Sequence, residues 1–258
     1  MKAYYLLILL LIGCISEPIE VIEEKEAYTC TGSTYVPTGV VLGDILVPEN
    51  KGVGLNTELW EDKIIPYYLD ARWYDSPYLQ DIYKVMDHLE TLGFTFIPIE
   101  LFDEKYPDYI YVKYAGFGYS YIGKKGGEQQ IYLPTSYNNG AFAHEFGHVV
   151  GLGHTHNTPS SSEWLKFYPE NMIEENKSFF EPWSSYDNTN RLYNSCEYLD
   201  YYDINSVMNY GSTAYSKNGE YTMTLKDGTP FNTVDFFSEG DNLTILRMYD
   251  YWEQTKNK

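Results

Sequence analysis

The chain has 258 residues, 43% of them hydrophobic and 21% charged, so it can bury one sizeable core. Its 37 acidic and 18 basic residues give a net charge of -19, which is the wrong sign for binding nucleic acid or anionic lipid headgroups. Three cysteines, at positions 14, 30 and 196, are too few for a disulfide-dense scaffold or a four-cysteine zinc module. We expect one folded domain, alone or with a tail.

The first residues have the pattern of an export signal, in which Lys2 precedes a short apolar run that ends at Gly13 and Cys14. Roughly ten apolar residues are too few to span a bilayer, which takes about 20. Residues 11–14 also resemble the lipobox of prokaryotic lipoproteins, whose cysteine carries two acyl chains, enough for stable anchoring. We expect an exported, extracytoplasmic protein whose membrane contact is a lipid on Cys14. An ordinary signal peptide, residues 1–14, with an incidental cysteine is the alternative.

The next segment, residues 15–51, is acidic at first and then rich in Thr, Gly and Pro. It shows neither helical nor strand periodicity. This composition indicates a tether or a short pro-segment that leads into a folded domain at 52–258.

The folded part opens with an α+β pattern. Residues 64–69 are β-branched and aromatic and predict a strand. A helix should follow, with Ser76 as its N-cap, Pro77 at its first position and Gly93 just after its end. Further strands are predicted at 94–99, 109–114 and 130–133, with a glycine-rich turn at 123–127.

The second half of the chain has weaker patterns. Residues 155–200 show no convincing period, which predicts long loops and short helices. Residues 242–252 predict a short amphipathic helix near the end of the chain.

Four of the five histidines fall within thirteen residues. His144 and His148 are four residues apart and therefore share one helix face, with Glu145 beside them. Gly151 lets the backbone leave the helix abruptly, which brings His154 round as a third ligand. Three neutral nitrogen ligands without a cysteine favour zinc in an open site whose fourth position holds water. We therefore predict one catalytic Zn²⁺ ion, with Glu145 as the general base of peptide-bond hydrolysis.

The competing interpretation is a set of solvated histidines. All five fixed positions of HExxHxxGxxH should match by chance on the order of once in 10⁵ such sequences, so this interpretation is set aside. His88 and His156 receive no role and are interpreted as surface or packing residues.

The extended motif is the metzincin signature, and such sites also need a downstream methionine turn. Met208 followed by Tyr210, in a Ser-x-Met-x-Tyr frame, resembles the astacin family of zinc metallopeptidases. The segments at 59–67, 119–129 and 211–219 are similar to astacins as well, so the resemblance covers roughly residues 56–252.

The resemblance implies an α+β, two-subdomain fold with a mixed twisted sheet and two long helices above a cleft and a largely irregular lower half. It implies that His144, His148 and His154 bind zinc, that Met208 forms an apolar floor, and that Tyr210 swings from the zinc to stabilise the oxyanion. A protein or peptide substrate would pair with an edge strand near 130–133.

Some positions depart from the family pattern. Astacins usually have Glu directly after the third histidine, where it receives the mature N-terminus, but this chain has Thr155. The two family disulfides are also missing, because Gly118 and Tyr119 stand where a cysteine is usual. Cys30 and Cys196 would either pair with each other or remain free thiols.

Residues 41–44, Val-Leu-Gly-Asp, resemble the FxGD motif of astacin pro-segments, with Val41 in place of Phe. In that motif the aspartate caps zinc in the latent enzyme, which would be the role of Asp44. The same dipeptide recurs at Gly240-Asp241, so the motif alone does not decide the matter.

A zinc-dependent endopeptidase is the leading interpretation. A non-catalytic binding or adhesion module that keeps the fold and metal is the alternative, and the intact Glu145 argues against it. A metzincin of another branch is disfavoured by Tyr210 and the segment around Trp60. The sequence leaves the oligomeric state and the substrate preference open.

Overall fold

The computed structural model describes residues 29–30, 33–34, 41–46, 58–101, 103–134, 140–158, 161–182 and 202–256. The expected signal peptide, Cys14 and Cys196 lie outside these ranges. The side chain of Cys30 is also outside the description, so the alternative of a bond to Cys196 stays a prediction.

Short strands precede the main sheet. β1 (Thr29–Cys30) pairs with β2 (Ser33–Thr34), and β3 (Val41–Leu42) forms an antiparallel hairpin with β4 (Ile45–Leu46). Gly43 has a φ of 66°, so the turn of the second hairpin uses the left-handed region that glycine adopts without strain.

The main sheet follows in the chain. Its strands are β5 (Ile64–Leu69), β6 (Thr95–Pro98), β7 (Tyr109–Ala115) and, after the short β8 (Ser120–Tyr121), β9 (Glu128–Pro134). The order is β6-β5-β7-β9, and every neighbouring pair is parallel. In β7, Ile110 and Val112 are fully buried while Tyr111 and Lys113 are half-buried, so one face packs on the core. The predicted strands are confirmed, with β9 beginning two residues earlier than expected.

β9, which contains the segment at 130–133, is an edge strand of the main sheet. Tyr119 and Tyr132 exchange backbone hydrogen bonds of 3.1 and 2.7 Å in an antiparallel bridge, which covers the outer side of β9. β4 pairs in parallel with β8, and Ser120 N donates to Asp44 O at 3.0 Å. The expectation that 130–133 belongs to an edge strand is therefore confirmed, and one bridge, at Tyr132, joins this edge to the segment before β8.

Two helices pack against the sheet. α1 (Leu79–Glu90) buries Ile82, Val85, Met86 and Leu89. It begins later than predicted, because Ser76 Oγ accepts from Tyr78 N at 3.2 Å and closes a turn ahead of the helix. Gly93, with a φ of 92°, follows the helix as expected.

α2 (Ala141–Val149) carries the histidine motif and is buried on nearly all sides. Phe142, Phe146 and Val149 belong to the main core, which explains why the helix is largely apolar apart from its metal-binding motif. This packing fixes the motif rigidly beneath the sheet.

The lower half has a second core and little regular structure. Short 3-10 turns at Thr155–Asn157, Pro169–Asn171 and Glu174–Phe180 accompany α3 (Ser161–Trp164), as the aperiodic sequence predicts. The sequence missed β10 (Leu165–Phe167), which pairs antiparallel with β11 (Met223–Leu225). The second core is centred on Leu165, Met172, Phe180, Tyr202, Tyr210 and Met223.

α4 (Glu239–Thr255) closes the described chain and begins three residues before the predicted start. Ser238 and Asp241 form a capping box, in which each side chain accepts from the other residue's backbone N–H. Among the described residues, none of the helices combines the length and hydrophobicity that a bilayer crossing needs.

Candidate metal centre

Three histidine nitrogens converge on one point beneath the cleft. His144, His148 and His154, together with Asp44, each present a ligand atom, and these atoms lie within 4.8 Å of one another. His144 Nε2 and His154 Nε2 are 3.3 Å apart. Gly151, with a φ of 113°, turns the chain out of α2, which brings His154 back to the two helix histidines.

The hydrogen bonds of the rings prepare the site for a metal. His144 Nδ1 donates to Val207 O and His148 Nδ1 donates to Leu152 O, each at 2.7 Å, which directs both Nε2 lone pairs to the common point. His148 Nε2 is buried and has no hydrogen-bond partner. A buried nitrogen acceptor of this kind is costly unless it coordinates a cation, so the residues fit a metal.

The electrostatics of the centre suit a bound cation. Burial lowers the pKa of His148 to about 4, so its imidazole is neutral at pH 7, the form that binds metals. Burial also opposes the charged form of His144, but the Asp44 carboxylate outweighs it and raises the pKa of His144 to about 9. A metal ion at this point would therefore take the place of the proton on His144 Nε2.

Glu145 lies beside the ligands and is buried, with 2% of its surface exposed. Ser120 Oγ donates to Glu145 Oε2 at 2.7 Å. Burial raises the pKa of Glu145 well above its ordinary value, and the nearby Asp44 carboxylate raises it further. The sequence did not assign Ser120 a function, although it lies in the segment 119–129 that resembles astacins.

Met208 lies directly under α2. A Cβ atom at Gly147 would come within 2.5 Å of Met208 Sδ, so the absent side chain makes room for the sulfur. Met208 is fully buried and forms an apolar surface below the histidines.

Tyr210 lies at the side of the centre. Its ring centroid is 4.6 Å from that of His154, and its hydroxyl donates to Asp44 Oδ1 at 3.3 Å. Burial and the adjacent Asp44 carboxylate raise the pKa of Tyr210 well above its ordinary value. The phenol is therefore a hydrogen-bond donor at neutral pH.

Asp44 occupies the open side of the histidine cluster. Its carboxylate is 2.7 Å from His154 Nε2, 3.2 Å from His144 Nε2 and 3.6 Å from His148 Nε2. Gly43 is required for this approach, because a Cβ there would collide with the hydroxyl of Tyr210. Burial opposes the ionised form of Asp44, but the surrounding histidines lower its pKa well below the ordinary value.

The other residues singled out in the sequence, His88, His156 and Thr155, are not among the four that present a ligand atom to the metal centre. His88 stacks on Phe237, with centroids 5.3 Å apart, and is a packing residue as expected. His156 is fully buried and stacks on His154 at 5.1 Å, so it supports the centre from behind. Thr155 is also buried and donates from Oγ1 to Ser206 Oγ at 2.8 Å.

The centre opens into a cleft of about 360 Å³. Its lining includes residues 116–119, Pro134, Asn209, Tyr215 and Thr233. This volume lies within the range of ligand-binding clefts, about 300–1,000 Å³.

Comparisons with known proteins agree with this geometry. The chain is 27% identical over 244 residues to zinc metalloproteinase nas-8 of Caenorhabditis elegans, covering 84% of this chain and 57% of that protein. It is 26% identical over 231 residues to astacin-like metalloprotease toxin 2 of Loxosceles intermedia, covering 87% of this chain and 86% of the toxin. The chain thus spans less than two thirds of the length of nas-8.

A solved structure shares the fold. High choriolytic enzyme 1, a hatching enzyme zinc-protease from the medaka fish Oryzias latipes, superimposes with a TM-score of 0.59 at 21% identity. The superposition covers 75% of this chain and 92% of the fish protein. The sequence pattern of the astacin peptidase family matches residues 53–250. Because that match spans far more than half of the residues, the chain belongs to the astacin family.

Proposed function

We propose that the chain is a zinc-dependent endopeptidase whose zinc ligands are His144, His148 and His154. The observation that carries the proposal is the convergence of three imidazoles around the unpartnered, buried His148 Nε2. Family membership supports it, and no feature of the described cluster favours the alternative of a non-catalytic binding module. When bound, zinc acts as a Lewis acid that polarises the scissile carbonyl and acidifies a water molecule.

Glu145 is proposed as the general base. Its carboxylate accepts from Ser120 Oγ at 2.7 Å, and the side chain is buried at the inner end of the cleft. Burial raises its pKa, which makes it a better proton acceptor than an exposed carboxylate. It would take the proton of the attacking water and return it to the leaving amine.

Tyr210 is proposed to stabilise the tetrahedral oxyanion. Its neutral hydroxyl is a donor beside the ligand cluster, where it is bonded to Asp44. When Asp44 leaves, that donor is free to bond to substrate oxygen, where charge develops in the transition state. Met208 would serve as the apolar floor that keeps the ligands in place.

The substrate is proposed to be a protein or peptide in extended conformation. β4 pairs with β8 next to Asp44, whose carbonyl accepts from Ser120 N at 3.0 Å, so the backbone of β8 can accept an added strand. A substrate would take the place of β4 and continue past the metal. Asn209, Tyr215 and Thr233, which line the cleft, would then contact its side chains.

Residues 15–51 are proposed to include a latency segment. Asp44 lies where a water or substrate oxygen would approach the metal, and its carboxylate is an adequate zinc ligand. Hydrolysis then requires that β3 and β4 leave the cleft. We expect Asp44→Ala in the full chain to cleave substrate faster than the wild type. Gly43→Ala should also raise the cleavage rate, because its Cβ would collide with Tyr210 and displace Asp44 from the cleft.

The decisive experiment is cleavage of an unstructured protein by the full chain, by Asp44→Ala and by Asp44→Ala combined with Glu145→Gln. We expect Asp44→Ala to be active, to be inhibited by a zinc chelator, and to lose activity when Glu145 is replaced. A full chain that binds zinc but cuts nothing in any form would support the binding module instead. Equal activity of Asp44→Ala and the wild type would contradict the latency segment and leave the proposed endopeptidase activity unaffected.

We also propose an exported protein, with residues 1–14 as signal, residues 15–51 as tether and pro-segment, and residues 52–258 as the peptidase domain. The pattern at 11–14 favours a lipid on Cys14, which would anchor the chain to the outer face of the membrane. Intact-mass measurement of membrane-extracted protein should show the added lipid. An unmodified Cys14, or its removal with the signal, would leave export without the anchor.

A further inference from the structure

A buried carboxylate on α4 holds the turn beneath the metal centre. Asp241 has no exposed surface, and its side chain accepts from Ser206 Oγ at 2.6 Å, Val207 N at 2.9 Å and Ser238 N at 3.0 Å. Each of these donors is uncharged. Burial raises the pKa of Asp241, while the hydrogen bonds from Ser206, Ser238 and Val207 oppose that rise.

One branch of these contacts reaches the first histidine. Asp241 fixes the backbone N–H of Val207, and the carbonyl of Val207 accepts from His144 Nδ1 at 2.7 Å. The orientation of the His144 ring therefore depends on where Asp241 places Val207.

A second branch reaches the third histidine. Ser206 donates to Asp241 and at the same time accepts from Thr155 Oγ1 at 2.8 Å and from Met208 N at 3.0 Å. Thr155 N in turn donates to Met208 O at 3.1 Å. Thr155 directly follows His154, so this branch fixes the loop that returns His154 to the cluster.

We propose that Asp241 is a positioning residue of the metal centre, which holds His144 through Val207 and His154 through Ser206 and Thr155. The inference rests on the proposed zinc ligands. Groups that hydrogen-bond directly to a metal-binding histidine change metal affinity by about 10–100-fold when they are removed, and Asp241 positions one such group, the carbonyl of Val207. Asp241 also closes the capping box of α4 through Ser238 N, so its effect on zinc affinity has to be separated from its effect on stability.

The test compares zinc affinity and stability in the full chain. Asp241→Asn keeps the shape of the side chain but cannot accept from both Ser206 and Val207 as the carboxylate does. Ile245→Ala is the matched control, because it destabilises the same helix through a cavity without touching the hydrogen bonds of Asp241. Zinc dissociation constants are measured by competition with a chelator, and unfolding of the zinc-free proteins is measured alongside.

We expect Asp241→Asn to weaken zinc binding by about tenfold, the lower end of the range for direct partners of a ligand, and Ile245→Ala to change it by less than about threefold. Ser206→Ala removes the hydrogen bonds of Ser206 with Thr155, Met208 and Asp241 but leaves the bond between Asp241 and Val207. It should weaken zinc binding by a smaller factor and serves if Asp241→Asn does not fold. Unchanged zinc affinity in the folded variants, or an equal loss in Ile245→Ala, would overturn the proposal. If the wild type itself binds no zinc, the proposed function fails rather than this inference alone.

Discussion

Met208 fills the space between α2 and the turn at 206–208, and Gly147→Ala tests how closely it packs against the helix. The added Cβ would lie 2.5 Å from Met208 Sδ, 3.4 Å from its Cε and 3.5 Å from Phe237 Cε1. Normal separations are about 3.5–4.0 Å, so the sulfur or the helix must move by roughly 1 Å. Met208 cannot retreat freely, because its backbone is bonded to Ser206 and Thr155 on both sides.

Two opposing effects decide the sign of the change in stability. Overpacking a dense core costs about 1–3 kcal/mol, whereas replacing a mid-helix glycine by alanine gains about 0.5–1 kcal/mol. We therefore expect Gly147→Ala to lower the free energy of unfolding by about 1–2 kcal/mol. For a chain of this size the melting temperature should fall by about 2–8 °C.

Thermal unfolding of the zinc-free protein measures this effect without any contribution from the metal. Gly116→Ala is the control, because nothing lies within 4 Å of its added Cβ, and its stability should stay within about 0.5 kcal/mol of wild type. If Gly147→Ala melts at or above the wild-type temperature, helix propensity outweighs the clash and Met208 does not fill the space below the histidines.

Three further predictions concern other residues. Ser120→Ala removes the hydrogen bond to Glu145 at 2.7 Å, so kcat should fall about tenfold while the bound zinc stays constant, and an unchanged kcat would show that Glu145 needs no such support. Asp62 is exposed and has a φ of 52°, a strained backbone conformation for a residue with a side chain. Asp62→Gly should therefore raise the free energy of unfolding by about 0.5–1 kcal/mol in a denaturant titration. A lower free energy of unfolding would show that the backbone at this position is not strained. The hydrogen bond from Arg72 lowers the pKa of Asp70 below its ordinary 3.8, so the ionised form stabilises the fold above that pH and the advantage disappears on acidification. The stability gap between wild type and Arg72→Ala should therefore be largest at neutral pH and close as pH falls below about 4, and a gap independent of pH would contradict this assignment.

The sequence predicted the parts of the site that depend on local spacing. His144 and His148 share a helix face because they are four residues apart, and Gly151 turns the chain as its conformational freedom allows. The strand at 64–69 was predictable because β-branched and aromatic residues follow one another there.

Other features depend on contacts between distant residues and have no local signal. Asp241 and Val207 are 34 residues apart, and no motif connects them. The β10–β11 pair joins three-residue strands with no recognisable alternation, and its register comes from the second core. The start of α1 was misplaced because Ser76 has the chemistry of an N-cap but closes the preceding turn instead.

The role of Asp44 was only partly predictable from the sequence. The short resemblance at 41–44 indicated its role, but the duplicate dipeptide at 240–241 left the assignment open. Only the three-dimensional structure distinguishes the roles of the two aspartates. Asp44 contacts the histidine nitrogens, whereas Asp241 is bonded to the turn that supports them.

Binding of one metal ion by three histidines of α2 and its following loop is tested by native mass spectrometry of the purified chain beside His148→Gln. His148 is the informative position, because its buried Nε2 has no hydrogen-bond partner within the described residues. We expect one zinc ion per wild-type chain and little or none in the variant. A wild type without stoichiometric zinc, or a variant that retains it fully, would contradict the three-histidine site.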